Sequence, residues 1–88
     1  MGRLIRASSV DRFLVDKGHE HSEFEGGDWD PGVRVAQSGR RIVHVFWDGP
    51  GEADQLAAIT IELREAGYHV QPQQMRGGGR RRLEVTRP

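Results

Sequence analysis

Apolar residues recur along this chain with two different periods. At Val10, Phe13 and Leu14 they fall at i, i+3 and i+4, and at Leu56, Ile59 and Leu63 they do so again, with Ala53 and Ala66 extending the stripe. That spacing predicts one buried face on each of two helices. At Val33-Arg34-Val35-Ala36 and Leu83-Glu84-Val85-Thr86 apolar and polar residues alternate, which predicts half-buried strands. Ile42 to Trp47 is β-branched and aromatic, as suits a packed strand. Val43, Val45 and Trp47 would face one side and Ile42, His44 and Phe46 the other, so this strand is expected at the centre of a sheet and at least partly covered on both faces.

Punctuation between the periods sets the element ends. Ser8 or Ser9 is expected to cap the first helix and Gly18 to close it. Asp48-Gly49-Pro50-Gly51 ends the central strand, Glu52 and Asp54 put negative charge in the first turn of the second helix, and Gly67 follows its end. Ser38-Gly39 reads as a tight turn, making Val33 to Trp47 a β-hairpin. Pro72 sends the strand at Val70 to Met75 to a sheet edge, because it has no amide to donate. Met1 to Arg6, basic around Leu4 and Ile5, is expected to pack loosely or add an edge strand. His19 to Gly32 reads as an acidic, glycine-containing loop.

The expected fold is therefore α+β: a short N-terminal helix, then β-β-α-β-β. If each strand pair is a hairpin and the helices lie on one face, the second and fourth strands pair in the middle. The four-stranded antiparallel sheet then has order 1-2-4-3, with the Pro72 strand on an edge and the Ile42 to Trp47 strand inside. Residues 1–88 form one small domain.

Composition narrows the class more than the function. The chain has 88 residues and no cysteine, so disulfides and thiolate metal sites are excluded. No apolar run approaches the roughly 20 residues of a membrane span, and the opening residues lack a signal-peptide core, so a soluble intracellular protein is expected. Formal net charge is zero, and Lys17 is the only lysine, a bias that a G+C-rich genome explains without any functional need for guanidinium.

Charge nevertheless alternates in blocks. The acidic block offers Glu23, Glu25, Asp28 and Asp30 with Trp29, a combination that suits recognition of another protein, since tryptophan anchors interfaces. Trp29 could also fold back onto the sheet, and Trp47 is expected in the core. His19, Glu20 and His21 add metal-capable groups to the same block, but in no recognised ligand spacing, so no metal or other cofactor is expected. The basic blocks offer an alternative, nucleic-acid binding through Arg40, Arg41, Arg76, Arg80, Arg81 and Arg82 on two hairpin turns, where guanidinium forks and the flexible Gly77-Gly78-Gly79 could fit a phosphate backbone. No catalytic constellation stands out. His44 lies in a strand, and Ser8, Ser9, Ser22 and Ser38 have no nearby base in a triad-like pattern.

At Leu4, Arg6-Ala7-Ser8-Ser9-Val10, Gly18-His19, Leu63 with Ala66-Gly67-Tyr68-His69-Val70, and Leu83-Glu84-Val85-Thr86, the chain resembles small actinobacteriophage proteins of the mycobacteriophage and Streptomyces-phage type, which have no assigned activity. That resemblance implies a viral protein acting in the host cytoplasm. The resulting expectation is a non-enzymatic binding module that recognises a host or phage protein, with nucleic acid as the alternative partner, no membrane, and homodimerisation through an edge strand compatible with either.

Overall fold

The structure, a computed structural model, describes residues 3–25, 28–74 and 80–88, with backbone alone at 23–25, 28 and 29. Helix α1 spans Ala7–Asp16 and α2 Glu52–Glu65; the strands are β1 (Glu23–Glu25), β2 (Asp28–Asp30), β3 (Gly32–Gln37), β4 (Val43–Asp48), β5 (His69–Gln74) and β6 (Arg81–Thr86). The last four strands form one antiparallel sheet in the order β3-β4-β6-β5. This is the α+β fold and strand order that the pattern predicts, with the Pro72 strand on an edge and the aromatic strand inside.

Both helices pack on the sheet face that carries Val33, Val43, Val45, Val70, Leu83 and Val85. Val10 and Leu14 of α1, and Leu56, Ile59 and Leu63 of α2, complete the core. Burying each such side chain contributes roughly 1.5–3 kcal/mol. The two helices end alike. In α1, Gly18 has φ 97°, its N–H donates to Val15 O (2.9 Å) and the His19 N–H donates to Leu14 O (3.1 Å). In α2, Gly67 has φ 96°, with Gly67 N–H to Arg64 O (3.0 Å) and Tyr68 N–H to Leu63 O (3.0 Å). A left-handed glycine with this pair of bonds satisfies the last helical carbonyls.

Two expectations are corrected. Ser8 and Ser9 lie inside α1 and the N-cap is Arg6, which makes no side-chain cap. The Ala7 N–H instead donates to Gln37 Oε1 (2.7 Å), and the Gln37 amide donates to Ile5 O and Gly39 O, so β3 supplies the cap from across the fold. The central strand is at least partly covered on both faces, as expected: Val43 and Val45 are buried under the helices, and His44 and Phe46 on the other face are half-buried. Trp47 packs against the core, with its Nε1 donating to Pro50 O (3.0 Å).

The second correction concerns the 19–32 segment, which is not simply a loop. β1 and β2 pair antiparallel, Glu23 with Asp30, Phe24 with Trp29 and Glu25 with Asp28, making a two-stranded ribbon. Glu-Phe-Glu and Asp-Trp-Asp alternate on either side of a Gly-Gly pair, which is hairpin patterning. Its acidic and glycine-rich composition, unfavourable to strands in general, hides that pattern. Among the described residues, no helix is long and apolar enough to cross a membrane.

Candidate binding surfaces

The ribbon carries Glu23, Glu25, Asp28, Trp29 and Asp30 of the acidic block. Its base is tied to the edge of β3: the Val33 N–H donates to Glu20 O (2.8 Å), the Ser22 N–H donates to Val33 O (3.0 Å), and His21 bridges Val33 in parallel. Gly32 permits this approach, because a Cβ there would lie within 2.6 Å of His21 O. In register, Glu23, Glu25, Asp28 and Asp30 occupy positions on one face of the ribbon, and Phe24 and Trp29 positions on the other. The expectation that Trp29 folds back onto the sheet concerns a side chain outside those described.

The two histidines that open the block diverge. His19 meets Glu62 of α2 at 2.5 Å, and His21 meets Asp11 of α1 at 2.6 Å. Among the described residues, no three His, Asp or Glu side chains converge on one point. Both histidines therefore act as braces between the ribbon base and the helices.

The arginines of the two turns are separated. The β4–β6 register pairs Val43 with Val85 and Val45 with Leu83, so the β3–β4 turn with Arg40 and Arg41 lies at one end of the sheet and Arg80 to Arg82 begin at the other. Arg76 and Gly77 to Gly79 lie outside the described residues. Arg40 and Arg41 have company from elsewhere in the chain: Ile5 N–H donates to Arg40 O (3.0 Å) and Arg3 bridges Arg87, which gathers Arg3, Arg6 and Arg87 at the same end.

At the opposite end, Asp48 organises a cluster that joins Arg80, one of the candidate arginines named from the sequence, to Arg34 and Phe46, which were not candidates. Its side chain, 9 % exposed, accepts from Arg34 Nε (2.9 Å) and from Arg80 Nη2 (2.5 Å), while Arg80 Nη2 also donates to Trp47 O (2.9 Å). Burial pushes the Asp48 pKa up, but hydrogen bonds from Arg34, Arg80 and Ser22 and the charge of Arg34 outweigh it and bring the value from 3.8 to about 2. The bond to Asp48 likewise raises the pKa of Arg80. Arg34 lies over the Phe46 ring at 4.2 Å and Arg80 at 5.9 Å, and His44 meets the same ring edge-on at 6.3 Å. Partial burial holds the His44 pKa below 6.5, Arg82 lowers it further, and Glu84 works in the other direction. No local period could have shown this cluster, because Arg34, Asp48 and Arg80 come from three segments. Its one signal is parity: Arg34, Phe46 and Asp48 sit at positions that strand alternation turns away from the core.

Compared with protein-family models, with curated proteins and with solved structures, the chain finds no match. Its surfaces must speak for themselves.

Proposed function

We propose that this protein is a non-enzymatic binding module that recognises a basic surface on another protein through the β1–β2 ribbon. The observation that supports this is the ribbon's register. Glu23 opposite Asp30 and Glu25 opposite Asp28 are two like-charge cross-strand pairs. Such pairs destabilise a ribbon, and a two-stranded ribbon is at best marginal by itself. A cationic partner offsets that repulsion. The resemblance to phage proteins makes a host or phage protein, met in the host cytoplasm, the partner class of this proposal. Pairing of two copies through a sheet edge is compatible with it.

The alternative, nucleic acid held by the turn arginines, has less support, since Arg40 and Arg41 lie at the far end of the sheet from Arg80, Arg81 and Arg82. The experiment is a pull-down from nuclease-treated host lysate with the natural chain and with the Glu23→Lys, Glu25→Lys, Asp28→Lys, Asp30→Lys variant. The proposal expects a nuclease-resistant partner that the variant loses by at least tenfold while keeping its cooperative unfolding. Equal capture by both chains would sink it.

A further inference from the structure

We infer that the sheet face opposite the helices is a binding platform for single-stranded nucleic acid, centred on Phe46 with Arg34, Arg80 and Arg82. The inference is independent of the ribbon and uses different residues.

With both helices on one face, the other face presents Arg34 beside Phe46 across β3 and β4, and His44 beside Glu84 across β4 and β6. The guanidinium groups are held in place. Asp48 fixes Arg34 and Arg80, and Arg82 Nε donates to Gln73 Oε1 (2.9 Å). Gln73 in turn donates to Glu84 (2.6 Å). Side chains already held in this way lose little further freedom when a ligand arrives. Arg34 and Arg80 are nonetheless about half exposed, at 46 % and 50 % of their side-chain surface. The face thus carries an aromatic ring with two fixed guanidinium groups over it, each open to solvent on part of its surface.

Two properties of this surface select the ligand. Nucleobases stack on aromatic rings and on guanidinium planes, and stacking requires bases freed from a duplex. Phosphates require positive charge, which Arg34, Arg80 and Arg82 bring to this face. Asp48 and Glu84 lie among them, and Glu52 of α2 lies 3.6 Å from Arg80 Nε, while Arg40, Arg41 and Arg87 sit at the other end of the sheet. An acidic peptide would match the charge and make no use of Phe46, so nucleic acid fits both properties better.

Fluorescence anisotropy of a labelled 12-nucleotide oligo(U) or oligo(dT), with a duplex of equal length for comparison, tests this on the full chain. Binding is expected to favour the single strands by at least tenfold. It should weaken by about tenfold or more between 50 and 200 mM salt, as neutralising about three phosphates requires. Phe46→Ala should weaken binding at least fivefold, in keeping with the loss of one stacked base. Arg34→Lys, which keeps the charge and loses the plane, should do the same; Arg12→Ala on α1 and the ribbon charge reversal should not. Cooperative unfolding of each variant is checked first, and Arg34→Lys carries the test if Phe46→Ala fails to fold. No binding, equal affinity for duplex, wild-type affinity in Arg34→Lys, or displacement by polyglutamate as effective as by unlabelled oligonucleotide would each overturn the inference.

Discussion

Asp48 concentrates on one carboxylate the forces that elsewhere act on several groups. Burial alone would favour its neutral form, yet two guanidinium groups and Ser22 keep it ionised with a pKa of about 2 against 3.8 unfolded. A folded pKa below the unfolded one means that the stabilisation is fully present above about pH 4 and is lost as pH falls towards 2. The size of the shift caps that contribution at about 2 kcal/mol, and the half-exposed arginines reduce it, since solvent screens their charge. Asp48→Asn is therefore expected to cost about 1–2 kcal/mol in urea unfolding at pH 7. It should also flatten the decline in stability between pH 4 and pH 2. An acid limb as steep in the variant as in the natural chain would assign that decline to other carboxylates.

Among the elements, the sheet edges show best what the sequence could and could not reveal. The position of β5 was legible because Pro72 cannot serve a central ladder, and the position of β4 because its apolar run needs a buried neighbour. Arg64 Nη2 donates to Val70 O at 2.8 Å, which marks the side of residues 70, 72 and 74 as the one facing away from β6. On that free edge Pro72 removes the middle donor, and Arg64 occupies a carbonyl. On the other edge, Glu20 and Ser22 occupy Val33. Pro72→Thr restores the missing donor and is expected to promote edge-to-edge association, read as a rise in weight-average mass with concentration in sedimentation equilibrium. A mass that stays constant would show that Arg64 alone protects the edge. The ribbon and the Gln37 cap were not legible in the same way. The ribbon's period of two spans only three residues on each side, and Gln37 reaches Ala7 across 30 positions of sequence.

At the scale of the molecule, α1-β3-β4 and α2-β5-β6 are two αββ halves joined by the β4–β6 pair. They also grip each other symmetrically. His19, which follows the glycine ending α1, meets Glu62 of α2, and Tyr68, which follows the glycine ending α2, meets the Phe13 ring of α1 at 6.3 Å. Val10, Leu14, Val33, Val43 and Val45 from one half share a single core with Ile59, Leu63, Val70, Leu83 and Val85 from the other. Neither half has enough apolar area to fold alone. Fragments 1–49 and 50–88 are expected to lack cooperative unfolding separately and to regain it when mixed, followed by circular dichroism; a cooperative transition in either fragment alone would contradict the shared core. The ribbon stands in a different relation to this frame. The chain departs at His21 and returns at Val33, two points that are already neighbours, so the frame sets no length on what lies between. Evolution can lengthen, shorten or rewrite that finger while the socket that holds it stays the same.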